Sequence, residues 1–293
     1  MFILHFGDLM IYLKLLIAGF FWGMNIVAMK MILVDIHFLT LASVRVLVSM
    51  FFILIYMTFK KIKLNCLYLT KILIISFFSI YLNLYFTFLS MSHLKGTQIV
   101  FINALAPFIT LLFSFVFKEK IYLINILSAI LCFISFLITM QHNNFDIGVF
   151  YMILGLSCYA FSHILTNRMK IPMSLSFVFY QLLFGFIMLF THCLITKKFE
   201  IESMYYLNVN QWLLFIVFSG FGFAYIQAIY FEALMKVGPM LTSVFLSFNP
   251  IVTYLGSILF LKEDINIYNI VGIVFVISSI SLSCYCKMRH VKT

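Results

Sequence analysis

Charge is what this sequence lacks. Only 10% of its 293 residues are Asp, Glu, Lys or Arg, while 65% are hydrophobic and the mean hydropathy is +1.14. A soluble globular domain carries about 25% charged residues, so a water-soluble globule is excluded. The phosphate-cradling G-x-x-x-x-G-K-[ST], the dinucleotide G-x-G-x-x-G, the zinc H-E-x-x-H and the nucleophile elbow are also missing. ATP-driven transport within this chain and the common hydrolytic chemistries therefore have no support. The six cysteines are scattered without zinc-ligand spacing, and Cys284-x-Cys286 reads as two small apolar residues closing a helix. No disulfide framework, metal or cofactor is expected. No connection is long enough to hold a soluble catalytic module, which argues against an enzyme. A cleavable leader is not expected either, because Asp8 precedes the first apolar run and neither a basic start nor an A-x-A site comes before Lys30.

What the sequence does contain is a series of apolar runs of about 20 residues, the length of a membrane-spanning helix, without the two-residue alternation of an outer-membrane barrel. Ten spans are expected, near 9–29, 38–59, 71–91, 97–117, 121–140, 147–167, 174–196, 211–233, 240–261 and 266–286. The net charge of +10 then reads as Lys and Arg facing anionic lipid rather than nucleic acid.

One stretch occurs twice. Tyr85-Phe86 leads through Pro107 to Lys118-Glu119, and Tyr230-Phe231 leads through Pro250 to Lys262-Glu263. Beyond each Lys-Glu the spacing matches: Ile121, Asn125, Ile126 and Ser135 lie at the same offsets from Glu119 as Ile265, Asn269, Ile270 and Ser279 from Glu263. The period is half the chain, so a duplicated domain is indicated rather than a solenoid. The expected units are 1–140 and 147–287, five helices each, with a tail at 288–293. With the N-terminus cytoplasmic, twelve Lys and Arg fall on the inner side and five on the outer, leaving Lys14 and Arg45 within spans. Both termini are then cytoplasmic. Because five is odd, the two repeats would sit upside down relative to each other. The expected fold is an all-α integral membrane protein of ten transmembrane helices, two inverted five-helix repeats around a central cavity.

Several polar residues interrupt the apolar runs. Pro107 and Pro250 each remove a helix hydrogen bond in mid-span, and the amides of Asn103 and Asn249 lie close to these breaks. They either offer polar groups to a cavity or repair the backbone. Trp22, Gly23, Asn25 and Lys30 cluster in the first span, where Gly19 and Gly23 permit close helix contact, within the chain or in a homodimer. Arg45 is some eight residues into the second span. A cation at that depth requires a fixed partner, a wet cavity or a substrate. Glu232, with Lys236 one turn on, is either an interfacial ion pair or a proton-titrating coupling group. Tyr159, His163 and Asn167 form a polar stripe on the sixth span, while Asn83 with Tyr85 and Tyr225 with Gln227 add polar groups to the third and eighth. Such a lining suits small zwitterionic or aromatic metabolites more than polyanions.

With Trp22-Gly23-x-Asn25, Lys30, Arg45, Tyr85…Pro107…Glu119 and Tyr230…Pro250…Glu263 in place, the chain resembles the EamA family of the drug/metabolite transporter superfamily over nearly its full length. It departs at the sixth span, where Tyr159-Ala160 replaces the usual tryptophan-like start. The resemblance implies secondary transport through a central cavity in a bacterial cytoplasmic membrane. The cargo it implies is amino acids or related metabolites, with S-adenosylmethionine or nucleoside uptake as the alternative. From other classes, a non-transporting partner or receptor and an enzyme on lipid-linked substrates stay open; the latter would need convergent acids or histidines. The expected partners are a small-molecule substrate and the lipid bilayer.

Overall fold

In hydrocarbon no water is present to satisfy backbone amides and carbonyls, so a chain this apolar must close its hydrogen bonds within helices. The computed structural model describes residues 6–290 apart from 66, 119–120, 142–145, 173, 227–228 and 230–248. The long helices are α1 Phe6–Ile32, α2 Phe38–Phe59, α3 Leu69–His93, α4 Gly96–Val116, α5 Leu123–Met140, α6 Ile147–Arg168, α7 Leu175–Ile195, α8 Val209–Ile226, α9 Asn249–Leu261 and α10 Ile267–His290. A single turn, Glu202–Tyr205, lies between α7 and α8. Among the described residues there is no strand. Among the described residues eight helices, α1 to α8, are long and apolar enough to cross a membrane; the apolar stretches Asn249–Leu261 and Ile267–Ser279 are shorter. Large apolar side chains such as Phe115, Leu123 and Leu259 are exposed on the outside of the bundle, as lipid contact requires.

Lys118 and Lys262, the lysines of the two Lys-Glu pairs, both take the left-handed conformation, at φ 53° and 55°. Each follows a helix end, at Val116 and Leu261. A left-handed residue is the common way to stop a helix, and a lysine there also meets the negative end of the helix dipole.

The two halves meet along a seam of α5 and α10 that uses the duplication directly. The Ser279 hydroxyl donates to the Ser128 carbonyl at 2.9 Å, and the Ser135 hydroxyl donates to the Gly272 carbonyl at 2.8 Å. Ser135 and Ser279 share an offset from their Glu, and so do Ser128 and Gly272. The two contacts are therefore the same contact made twice with the partners exchanged. As one helix advances the other recedes, so α5 and α10 run antiparallel. Gly272 permits the approach: a Cβ there would lie 2.5 Å from Thr139 Cγ2.

Gly23 of the G-x-x-x-G serves packing within the chain. A Cβ on it would come within 2.6 Å of Val252 on α9, and the Thr253 hydroxyl donates to the Gly23 carbonyl at 3.1 Å.

The second Lys-Glu acts as a clamp. Glu263 accepts from the Gly96 amide (2.6 Å) and the Thr97 amide (2.8 Å), one to each carboxylate oxygen. It thereby fills the unpaired amides at the start of α4 with an anion at the positive end of the helix. Beside it, the Lys30 ammonium donates to the Met91 carbonyl at the end of α3, within electrostatic reach of Glu263. Lys30 is thus anchored to protein rather than extended to the lipid interface. Loss of a helix cap costs about 0.5–2 kcal/mol. Glu263→Ala is expected to lower the melting temperature of the detergent-solubilised protein, and Glu263→Gln, which keeps one acceptor, to lower it less. Equal melting of Glu263→Ala and wild type would show that the clamp adds nothing.

Candidate functional site

Two helices depart from α geometry inside the bundle. In α3 the turn Phe77–Leu82 is a π-helix, and in α8 so is Phe215–Phe221. A π turn leaves carbonyls poorly matched to their own helix, and neighbours can use them. The Ser49 hydroxyl of α2 donates to the Ser219 carbonyl at 2.9 Å, and Asn25 Nδ2 of α1 donates to the Phe218 carbonyl at 2.7 Å. On the other side Gln181 of α7 donates to the Ser79 hydroxyl at 2.6 Å. Each π turn thus packs against the second helix of the opposite half, α3 on α7 and α8 on α2. Both approaches are made over a glycine: a Cβ on Gly185 would lie 2.2 Å from Ile80, and one on Gly220 would lie 2.6 Å from Val48.

α4 is broken instead. Its first part ends at Asn103 and the second begins at Ala106, with Pro107 in the first turn, where a missing amide costs nothing. In the other half α9 is described from Asn249 with Pro250 as its second residue.

These irregularities surround a cavity of about 580 Å³. Both halves line it. Asn25, Arg45, Asn83, Asn103 and Pro107 come from the first, and Tyr159, His163, Asn249 and Pro250 from the second. The Tyr159 and His163 rings meet edge to face at 4.4 Å. Asn83 donates to the Ser79 carbonyl at 3.1 Å and accepts from Thr87 at 3.3 Å. Arg45 is half-buried, its guanidinium over the rings of Phe88 (5.6 Å) and Phe223 (5.3 Å).

Other residues singled out in the sequence lie elsewhere. Tyr85 stacks on His192 at 5.1 Å and packs against Phe38, away from the lining. Tyr225 stacks with Phe221 and packs against Phe21 of α1. Asn167 is exposed near the end of α6, so the polar stripe leaves the cavity after His163. Gln227, Glu232 and Lys236 lie outside the described residues, as do Glu119 and the Tyr230-Phe231 pair. Trp22 of the first-span cluster also lines the cavity, which adds Ser49, Ser79, Gln181 and Phe223. Gln181, a lone amide within an apolar span, carried a readable signal; the serines, common in membrane helices as backbone partners, did not.

The model of the EamA-like transporter family matches residues 9–141 and again 146–285. The chain belongs to the EamA-like transporter family. It is a multi-pass membrane protein of a transporter family, built from two copies of one repeat. No curated protein matches it. A solved structure titled only "Crystal structure of protein" superposes with a TM-score of 0.62 over 91% of this chain and 97% of that one, at 11% identity. That likeness concerns the fold alone.

Wetness of the cavity is measurable. In a background without native cysteines, Asn103→Cys and Asn249→Cys are expected to react with a water-soluble thiol reagent faster than Tyr225→Cys, because thiolates form only where water reaches. Equal rates would remove the two asparagines from an aqueous lining.

Proposed function

We propose that this EamA-family member is a secondary transporter. It moves a small, amino-acid-like organic metabolite across a bacterial cytoplasmic membrane by alternating access. The observation that carries this reading is the cavity shared by both repeats at the break of α4 and at Pro250. Non-helical backbone at membrane depth is tolerated where it lines such a space, and transporters place their sites there. A volume near 580 Å³ is in the range of small-molecule sites, about 300–1,000 Å³. On this reading the substrate meets amides and hydroxyls of Asn25, Asn83, Asn103, Tyr159, His163 and Asn249. No covalent step or cofactor is involved.

The ten spans of the proposal form two inverted repeats with both termini cytoplasmic, an arrangement the antiparallel run of α5 and α10 favours. In that orientation the Glu263 clamp, the Lys30–Met91 contact and the 2.7 Å Gln211–Asp35 hydrogen bond gather at the outer end. The cavity lining extends to Thr166, Phe177 and Val178 near the inner ends of α6 and α7. Rocking of one repeat against the other would exchange the open and closed ends. Glu232 with Lys236 is on this reading either an interfacial ion pair or the proton-coupling group, and a homodimer stays open.

Thermal stabilisation against amino acids, nucleosides, S-adenosylmethionine and polyamines tests this, followed by flux in sealed proteoliposomes. A ligand held at 100 times its dissociation constant adds about 2.7 kcal/mol to the folded state, so at least one amino-acid-like compound should raise the melting temperature and cross the bilayer unaltered. Asn103→Ala and Asn249→Ala should weaken both effects. A folded protein that moves none of the panel would favour a receptor or partner role.

A further inference from the structure

The described lining of the cavity has a charge of one sign. Among its described lining residues Arg45 is the single one with a permanent charge, and no carboxylate accompanies it. Among the described residues no acidic group lies within ion-pair distance of its guanidinium, and no protein acceptor receives its N–H groups. A cation inside a bilayer costs several kcal/mol unless something answers it. Here the answer is partial. The guanidinium carbon lies over the Phe88 and Phe223 rings, at 5.6 and 5.3 Å from their centroids, which stabilises its charge. Five planar N–H donors remain, in a fork that fits a carboxylate with two parallel bonds.

We propose that Arg45 is the docking point for the carboxylate of the carried metabolite, with Phe88 and Phe223 presenting its guanidinium to the cavity. The substrate class is then a small organic acid, amino acids included, whose remaining polar groups meet neutral amides and hydroxyls. Net cations such as polyamines find no counter-charge in the described lining. This inference rests on the transport reading above and narrows it. The geometry supports the assignment twice more. Phe223 is the second residue after the π turn of α8, and the one hydroxyl proton of Ser49, one turn from Arg45 on α2, is shared between the Arg45 carbonyl (2.8 Å) and the Ser219 carbonyl of that turn (2.9 Å). The backbone that carries Arg45 is thus fixed to the helix that carries one of its aromatic faces. Burial of Phe88 in the core fixes the other.

The test uses the full-length protein and paired probes: leucine, phenylalanine and phenylpropionate, each beside its carboxamide. In a Trp212→Phe background Trp22, which lines the cavity, is the sole tryptophan, so its emission reports occupancy. Uptake of the same labelled compounds into proteoliposomes is followed in parallel. The expected result is that acids bind and their amides bind about tenfold more weakly or less, the difference made by a charge-assisted fork. Arg45→Lys should retain a preference for acids at reduced affinity, because a point charge replaces a fork. Arg45→Gln should lose the preference. Amides that bind as well as acids, an Arg45→Gln protein that still prefers acids, or no binding by any acid would each overturn the inference. If Arg45→Gln does not fold, the acid–amide comparison on the unsubstituted site still decides. Solutes that cross without regard to a carboxylate would overturn this assignment alone; a folded protein that moves nothing would remove the transport reading beneath it.

Discussion

The structure depends on one constraint: inside a bilayer a backbone amide or carbonyl has no water to turn to, and each one left unmet costs several kcal/mol. A uniform helix satisfies the constraint but offers nothing to a solute. Among the described residues the main departures from uniform helix are met by a named partner or open on the cavity. The carbonyls of Phe218 and Ser219 are taken by Asn25 and Ser49, the first amides of α4 by Glu263, and the break after Asn103 faces the internal space. Polarity and irregularity coincide because each makes the other tolerable.

The duplicated sequence turns this into an economy of design. The Ser128–Ser279 and Ser135–Gly272 contacts are one solution applied twice with exchanged partners. The pairing of α3 on α7 and α8 on α2 repeats the logic at the π turns, with a glycine at each crossing. Helices of this family member cannot rely on the hydrophobic effect to hold together, since lipid is as apolar as their side chains; close approach over small residues and interhelical hydrogen bonds take its place. The Gly23 contact with α9 and the Thr253 hydrogen bond to its carbonyl show both devices at one position.

Much of this was readable from residues alone. Apolar run length located the eight membrane-length helices among the described residues, the repeated proline and Lys-Glu located the duplication, and the cost of an unpaired cation pointed at Arg45. Lys118 and Lys262 ended their helices where the Lys-Glu pairs stood. The π turns were not readable, because no residue type demands them; each sits at a close tertiary approach, over Gly185 or Gly220. Tyr85 illustrates a different difficulty. Residues two apart on a helix point about 200° apart, so Asn83 and Tyr85 could not share a face. The structure gives Asn83 to the cavity and Tyr85 to His192.

The π turn in α3 carries a geometric consequence. An α-helix advances about 100° per residue, and a single π turn amounts to one residue wound in without a matching advance. Everything in α3 beyond Leu82 is therefore rotated relative to what the preceding half would dictate. Asn83, Thr87 and Met91, spaced four apart along that later half, belong to the wall α3 gives the cavity, with Leu84 beside them and Ser79 and Ile80 in the turn itself. The register of that wall is set by the turn before it, not by the choice of side chains within it. A one-residue deletion upstream would leave all three amino acids in the chain and turn them toward other neighbours, so in this helix length is as much a part of the binding surface as composition.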